Sequence, residues 1–298
     1  MSTMSSDRPG LRGPPAERDP ESLLEFGVIN LDKPPGPSAH QVSAWIKDLT
    51  GLDRAAHAGT LDPKVTGVLP VLLGNATRLV PALLEGTKEY VAVLELHASP
   101  PADLEATIAK FEGEIYQKPP RKSAVARRLR TRRVHDLDVL EVEDRQALIR
   151  MDVESGTYVR KLCHDIGLAL GTGAHMGDLR RTATTPFDDT TLVTLHDLAD
   201  ALARYEESGQ EDWLREVVHP AERALTHIPE VVIAPSAAAE VANGAPVYAP
   251  GVIEGPAEPP SGLVVCKTPN GAAVCLGRQV GDPEAESGVV VELEAVLV

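Results

Sequence analysis

Short runs of apolar residues, separated by turn-forming residues, predict a chain rich in β-strands. The segments at 26–31 (FGVINL), 90–96 (YVAVLEL) and 148–153 (LIRMDV) combine β-branched or aromatic residues with few charges. Residues 32–37 (DKPPGP) end the first run, because prolines and glycine favour a turn or an extended loop. We therefore expect a strand in each of these three segments.

Helical periodicity follows several of these strands. Ser38 is placed to cap a helix that ends at Gly51, since the apolar residues between them recur at spacings of three and four. Residues 155–157 predict a turn into a second helix with Val159, Leu162, Cys163, Ile166 and Leu170 on one face. Capped helices are also predicted at 103–113 and from Thr194 with Asp197, and a shorter one near 211–217.

The pattern changes towards the end of the chain. Residues 229–298 contain short β-rich runs around one short helix at 236–243, with a tight turn at 269–271. This pattern predicts a small β-barrel domain after a boundary near 224–230, and hence a larger domain at 23–228. The first 22 residues, rich in Pro, Ser, Gly and Arg, predict a disordered leader.

Composition narrows the class of protein. The 298 residues, 43% of them hydrophobic, are enough for about two globular domains. The longest apolar run, 68–73, is far shorter than the about 20 residues of a membrane-spanning helix. Three cysteines without a Cys-x-x-Cys spacing give no zinc ribbon and are typical of a reducing compartment. We expect a cytoplasmic protein without a membrane span.

The net charge of −15 is unevenly distributed along the chain. Residues 1–182 carry 24 basic and 25 acidic side chains, whereas residues 183–298 carry 5 and 19. The acidic excess, together with only nine lysines among 29 basic residues, suggests the hypothesis of a salt-rich, halophilic cytoplasm. At molar salt diffuse attraction to phosphates is screened, so only direct contacts would hold a nucleic acid.

One segment, at 115–134, is strongly basic. It has no acidic residue and eight basic ones: Lys118, Arg121, Lys122, Arg127, Arg128, Arg130, Arg132 and Arg133. Charge alone leaves two interpretations open, a surface that binds a polyanion and a solvated helix face or flexible arm.

The segment 57–67 (HAGTLDPKVTG) is the most informative for chemistry. Its glycines and Pro63 restrict the backbone around Asp62, and Pro63 favours an extended Asp62 that projects from a loop. Such a carboxylate can act as a nucleophile. An Asp-Pro turn whose carboxylate bonds its own backbone is the ordinary alternative.

This segment and three others together resemble the TruB branch of the pseudouridine synthases. The others are GVINLDKPPGPSAHQV upstream, KEYVA at 88–92 and GTYVRKL at 156–162. KPPRKSAVARRLRTRR and the β-rich end are similar to the archaeal dyskerin-like enzymes, whose C-terminal part is a PUA domain. The resemblance covers residues 24–298. It departs from the family around His57, which is flanked by alanines instead of glycine and a small hydroxyl residue.

The resemblance implies a fold and a reaction. The fold is α+β, with a mixed, largely antiparallel catalytic sheet followed by a small PUA β-barrel. The reaction is the isomerisation of uridine to pseudouridine in RNA, without cofactor or metal. Asp62 matches the family's aspartate, which attacks the sugar C1′ or assists elimination, and the two routes stay open. Arg160 matches its arginine partner, which would keep the carboxylate ionised in a pocket that excludes water. Tyr90 matches the tyrosine that stacks on the uracil.

Further RNA-binding residues follow from the same resemblance. Lys33 would support the loop near the site, His57 would lie where the flipped base was, and Leu179 would press on the base. Arg180 and its neighbour Arg181 would meet phosphates, as would the basic segment's Arg121, Lys122, Arg127 and Arg128. The PUA domain would hold an ACA or CCA end of RNA.

Several functions compete at this point. Within the enzyme class, the chain would act either on guide-selected uridines of rRNA in a box H/ACA particle with small accessory proteins, or alone on uridine 55 in the T loop of tRNA. A non-catalytic RNA-binding scaffold with the same fold is the alternative from another class. A glycosidase with paired carboxylates at 188–189 is weak, because no motif places a second acid.

Overall fold

The residues that follow position 10 belong to the folded protein. In this computed structural model, which describes residues 11–119 and 128–298, a short 3-10 turn (Pro15–Glu17) precedes helix α1 (Pro20–Glu25). Arg18 is buried in an ion pair with Glu222, with 2.6 Å between Nη2 and Oε1. The prediction of a disordered leader is therefore wrong for residues 11–22, while residues 1–10 lie outside the described residues.

A ten-stranded sheet, sheet A, forms the larger part of the protein. The strand order is β10-β1-β3-β8-β4-β7-β6-β5, with β2 beside β3 and β9 beside β8. Among the described strand pairs of this sheet, only β3 and β8 are parallel. This confirms the predicted α+β fold with a mixed, largely antiparallel sheet. The strands are β1 (Gly27–Lys33), β2 (Ala55–His57), β3 (Thr66–Leu73), β4 (Lys88–Leu96), β5 (Gly113–Gln117), β6 (Arg130–Glu143), β7 (Gln146–Val153), β8 (Ala174–Thr184), β9 (Phe187–Asp188) and β10 (His219–Pro220).

Most of the described helices pack on one face of sheet A, and one short helix, at 80–84, packs on the other. The described helices after α1 are α2 (Ala39–Thr50), α3 (Val80–Leu84), α4 (Leu104–Ile108), α5 (Val159–Ala169), α6 (Leu195–Ser208), α7 (Asp212–Val217) and α8 (Pro235–Ala242), the last of which belongs to the second sheet. The predicted caps of α2 are confirmed, since the Ser38 side chain accepts from Gln41 N and Gly51 adopts a left-handed conformation. The predicted apolar face of α5 is buried against sheet A from Val159 to Ile166.

The helix predicted at 103–113 is much shorter than expected. Helix α4 ends at Ile108, a single 3-10 turn follows, and Asp103 makes no side-chain cap. Gly113, with φ +103°, instead begins strand β5, which pairs with residues 130–134 of β6. Cross-strand pairing over five residues outweighs the local helical preference, which is weak in so short a segment.

A second sheet, sheet B, contains the acidic C-terminal residues. Its order is β12-β16-β15-β14-β11-β13, with helix α8 packed on it. The strands are β11 (Glu230–Ile233), β12 (Val247–Tyr248), β13 (Val252–Glu254), β14 (Val264–Lys267), β15 (Ala273–Gln279) and β16 (Val289–Val296). The predicted turn at 269–271 joins β14 to β15, and Gly271 has a positive φ there. The limits of residues 229–298 and their assignment as a PUA domain stay predictions.

The two sheets share a buried apolar cluster. Val28, Val68 and Leu72 of sheet A belong to the same cluster as Leu276 of sheet B. Glu222 adds polar links, because it accepts from Ala273 N at 3.0 Å while it pairs with Arg18. An interface that is apolar and fully buried holds the two parts in one orientation.

Gly67 lies where β3 meets β8, and we expect its substitution to destabilise the protein. The residue has φ +97°, and an added Cβ would lie 2.1 Å from the carbonyl oxygen of Arg181. Gly67→Ala should therefore lower the free energy of unfolding by about 2–4 kcal/mol, from backbone strain and the steric clash together. Urea titration followed by circular dichroism measures it.

Gly209 provides the matched control. It also has a positive φ, +70°, but no atom lies within 4 Å of its added Cβ. Gly209→Ala should lower the free energy of unfolding by only about 1 kcal/mol, from backbone strain alone. Equal losses in the two variants would show that the contact with β8 is not as close as the structure has it.

Candidate active site

A rigid loop presents Asp62. Residues 62–65 form a turn in which Val65 N donates to Asp62 O at 3.0 Å, and Gly36 N donates to Pro63 O at 2.8 Å. Lys33 is fully buried and its Nζ donates to Pro34 O, Pro63 O and Val65 O at 2.8–3.0 Å. Burial lowers the pKa of Lys33. The lysine thus holds the loop through its carbonyl groups, while the Asp62 side chain stays outside the protein core.

The carboxylate of Asp62 contacts the guanidinium of Arg160. Nη2 of Arg160 donates to Oδ2 of Asp62, and Arg160 lies in the first turn of α5. The ordinary alternative, a carboxylate bonded to its own turn, is thus replaced by a contact across 98 positions of sequence. A cation and the positive end of a helix both favour the charged form of the carboxylate.

The site is open in the protein alone, which corrects one expectation. Both side chains of the pair are 54% exposed, whereas the sequence analysis expected a pocket that excludes water. About half of the surface of each side chain is therefore accessible to a macromolecular substrate. Exclusion of water from Asp62 therefore requires the substrate to cover the loop.

Tyr90 lies on β4, in the middle of sheet A. It is 9% exposed on β4 and pairs in register with Arg181 of β8. The side chain of Arg181 interacts with that of Tyr90 and donates to Val68 O at 2.7 Å and to Gly59 O at 3.2 Å. One guanidinium thereby connects Tyr90 with the Asp62 loop.

The prediction that Arg181 meets phosphates is wrong. Its side chain is 1% exposed and its hydrogen-bond partners lie within the protein. Burial lowers its pKa. Arg180 points to the other face of β8, where both terminal nitrogens donate to the Asp32 carboxylate at 3.0 and 3.1 Å. The predicted contact of Arg180 with RNA stays a prediction, and in it an RNA phosphate would compete with the Asp32 carboxylate for the guanidinium.

Lys88 is a second buried cation beside Arg181, and it makes the stability of the protein depend on pH. Its Nζ donates to Gly86 O at 2.6 Å, and burial, with a smaller contribution from Arg181, lowers the pKa of Lys88 to about 8. In the unfolded chain the pKa of a lysine is about 10.4, so at a pH between the two pKa values the unfolded state binds more protons than the folded state. The free energy of unfolding should therefore rise with pH from about 8 to about 10.4.

The Lys88→Met variant isolates this contribution. In the wild type the rise attributable to Lys88 should be on the order of 2 kcal/mol, and the variant should lack it. Denaturant titrations at pH 8, 9 and 10 measure the free energy of unfolding of both proteins. In the difference between the two values, the contributions of the other titrating groups cancel. Parallel pH dependences would contradict the assignment.

His57 lies at the start of the loop and faces a second histidine. Its Nε2 lies 3.5 Å from Nδ1 of His40 in α2, and the two rings meet edge to face. Burial, with smaller contributions from His40 and Arg181, lowers the pKa of His57. Leu179 on β8 pairs with Ala92 of β4 and is half-buried against the core. Their predicted contacts with a flipped base and its neighbours stay predictions.

The basic segment is attached to the same site. Of its predicted RNA-binding residues, Arg121, Lys122 and Arg127 lie outside the described residues, whereas Arg128 is described and exposed. From Arg130 the chain is β6, so a helix face is the wrong interpretation for that part. Arg130 pairs with Gln117 of β5, whose side chain bonds the backbone of Tyr158, two residues before Arg160. The base of this hairpin therefore lies beside the start of α5.

Sequence reasoning missed three residues near the Asp62–Arg160 pair, namely His40, Lys88 and Gln117, and two of them, His40 and Lys88, lie in segments that carried the family resemblance. It also gave Arg181 the wrong role, because alternation along β8 places this side chain on the buried face. Such a signal becomes visible only once the register of β8 with β4 is known.

Within residues 11–119 and 128–298, no group of three or more His, Cys, Asp or Glu side chains is arranged to hold a metal ion. Among the helices of this part of the chain, none has the length and apolar composition to cross a membrane.

Comparison with known proteins supports one assignment. Residues 47–103 match the model of the TruB family pseudouridylate synthase N-terminal domain, 160–226 that of the tRNA pseudouridylate synthase B C-terminal domain, and 10–43 that of the DKCLD domain. The probable tRNA pseudouridine synthase B of Halobacterium salinarum is 68% identical over 97% of this chain and 100% of its own length. That of Pyrococcus furiosus is 50% identical over 95% of this chain and 85% of its own.

Solved structures agree with these relatives. A chain in the crystal structure of a Cbf5–Nop10–Gar1 complex is 48% identical, with a TM-score of 0.91 over 99% of this chain and 92% of that one. A chain in an H/ACA ribonucleoprotein bound to a substrate RNA containing 2′-deoxyuridine is 46% identical, with a TM-score of 0.90 over 99% of this chain and 92% of that one. Sequence motifs, fold and relatives all converge, and the chain belongs to the TruB family of pseudouridylate synthases.

Proposed function

We propose that this chain is the catalytic subunit of an RNA-modifying particle and converts uridine to pseudouridine, with Asp62 as the reacting group. The observation that carries the proposal is the contact of Asp62 with Arg160 on a loop fixed by Lys33. A scaffold without activity would need neither an exposed carboxylate with a cationic partner nor a buried lysine that fixes its loop.

The isomerisation exchanges one glycosidic bond for another. The bond between N1 of uracil and C1′ of ribose breaks, a bond between C5 and C1′ forms, C5 loses its proton, and N1 gains one. Asp62 either forms a bond to C1′ while uracil leaves, or helps to remove a sugar proton so that an unsaturated sugar forms. Both routes need the ionised carboxylate, which the Arg160 guanidinium favours, and in both the detached uracil stays in place to react again.

Tyr90 and the open loop explain how the base is held. The target uridine must leave its stack to reach Asp62, at a cost of a few kcal/mol that other contacts must cover. Tyr90 offers its ring from β4, and the side chain of Arg181, which also bonds Gly59 O in the Asp62 loop, interacts with it. The RNA supplies the other wall and displaces water from the exposed pair of Asp62 and Arg160.

Guided action is the mode that the relatives support best. Cbf5 chains with 45–48% identity and TM-scores of 0.89–0.91 occur in complexes with Nop10, and in one case also with Gar1. We therefore include guide RNA and small accessory proteins of these types among the partners. The curated relatives are named for tRNA, which favours stand-alone action on the T loop as the second mode. For both modes we propose a cytoplasmic location.

The experiment separates the modes. Tritium release from C5-labelled uridine is measured with the chain alone on a T-loop tRNA transcript, then with guide RNA and accessory proteins on a matched rRNA fragment. Release in the second assay that depends on guide RNA supports the particle, and release in the first assay supports stand-alone action. Bound RNA without release in either assay would favour the scaffold.

We also propose that residues 229–298 bind the RNA end as a PUA domain. The six-stranded sheet with one packed helix supports the assignment, and its fixed position against sheet A would set the distance from the RNA end to Asp62. Replacing the ACA trinucleotide of the guide RNA should weaken the binding of the guide RNA to the protein. Unchanged binding would contradict this assignment.

A further inference from the structure

Gln117 is a buried amide at the edge of sheet A that the reaction does not account for. It is the last residue of β5 and only 1% exposed. Its Nε2 donates to Tyr158 O at 3.2 Å, and its Oε1 accepts from Tyr158 N at 2.8 Å. Both hydrogen-bonding ends of one side chain are thus committed to the backbone of a single residue.

The partner of Gln117 is the residue that begins α5. Tyr158 is the N-cap of this helix, and its side chain makes no capping hydrogen bond to the first turn. Its carbonyl oxygen accepts from Lys161 N and Leu162 N, each at 3.0 Å, and from Gln117. The first turn of a helix depends on partners outside the helix for its free backbone groups, and the amide of Gln117 ties this start of α5 to another strand.

The orientation of this turn decides where Arg160 points. Val159, Leu162 and Cys163 fix the buried side of α5 against the core, but the side that carries Arg160 is exposed. A shift of the first turn would therefore move the guanidinium relative to Asp62. A misplacement of about 1 Å at a reacting group can cost about 100-fold in rate.

We propose that Gln117 is a positioning residue, whose two-way hydrogen bond to Tyr158 fixes the start of α5 and so holds Arg160 against Asp62. This inference rests on the proposed function and adds a residue to its machinery. It also gives the β5–β6 hairpin a role in the site, because Gln117 pairs with Arg130 of β6 at the base of the basic segment.

The first test replaces the amide by an apolar side chain of similar length. Gln117→Met should lower the single-turnover rate about 10- to 100-fold, with RNA affinity unchanged. Gln146→Met is the matched control, because the Gln146 amide donates to Glu95 Oε1 at the exposed end of β7 and should leave the rate unchanged. Should the methionine variant fold poorly, Gln117→Asn, whose amide is too short to bond both backbone groups, gives the same expected loss.

The second test asks whether Gln117 acts through Arg160. When Gln117→Met is added to Arg160→Lys, the further loss should be much smaller than in the wild-type background, since coupled residues are not additive. A full multiplicative loss would overturn the inference, as would an unchanged rate in Gln117→Met alone.

A third measurement does not depend on turnover. In a crystal structure of Gln117→Met, Arg160 should no longer contact Asp62, and a retained contact would overturn the inference. If the wild-type assembly released no tritium while this displacement was found, the proposed function would fail and the positioning role would stand.

Discussion

Asp62→Asn should stop pseudouridine formation almost completely while RNA still binds. The substitution keeps the size of the side chain and removes the charge that Arg160 stabilises, so no group remains to react at C1′. Removing the nucleophile of an enzyme that uses one commonly lowers turnover by about 10⁴-fold or more. Single-turnover tritium release, with the protein in excess over RNA, measures the chemical step without product release.

The control is the affinity for RNA in the same preparation. Asp62 is half exposed, and the loop is fixed by Lys33 and by backbone bonds that the substitution leaves in place. We therefore expect an unchanged dissociation constant and an unchanged unfolding transition. Tritium release at the wild-type rate would exclude Asp62 as the reacting group.

Arg160→Met should give the second largest loss, about 10²- to 10³-fold in rate, which is the usual cost of removing one preorganised charged or polar partner from a reacting centre. The variant leaves the carboxylate beside the start of α5, whose dipole provides a smaller stabilisation. RNA affinity should fall modestly, as for the loss of one cation near phosphates. Single-turnover rates at several salt concentrations separate this electrostatic loss of affinity from the loss of chemistry.

Arg160→Lys tests the role of the guanidinium geometry. Lysine keeps the charge but not the planar fork, so we expect a loss of about 10-fold, smaller than for methionine. If Arg160→Lys and Arg160→Met lowered the rate equally, the planar geometry of the guanidinium, and not its charge, would account for the loss. If neither substitution changed the rate, the contact between Arg160 and Asp62 would have no part in the reaction.

Local sequence patterns were sufficient for much of the secondary structure. The caps of α2 at Ser38 and Gly51 depend on neighbouring residues, and the apolar face of α5 depends on its own periodicity. The helix predicted at 103–113 failed because residues 113–117 pair with a strand 13 or more positions away. Similarly, the composition of the first 22 residues predicted disorder, but Arg18 finds a buried partner 204 positions away, at Glu222.

The candidate site shows the same division. Asp62, Tyr90 and Arg160 could be selected from motifs, because each motif is local and chemically distinctive. The residues that hold these three side chains in place could not be selected from motifs. Arg181 and Gln117 act through contacts that exist only after the strands of sheet A have paired. The openness of the site was also invisible in the sequence, because exposure depends on how α5 lies relative to the loop.

The central claim is that the Asp62 loop is where a flipped uridine reacts. A crystal structure of the Asp62→Asn variant, assembled with guide RNA, accessory proteins and a uridine-containing substrate, tests it most directly. The account predicts that the target uridine is unstacked, with C1′ in van der Waals contact with the side chain at position 62 and its base against the ring of Tyr90. A bound substrate whose target uridine lies elsewhere on the protein, with position 62 still open to solvent, would contradict it.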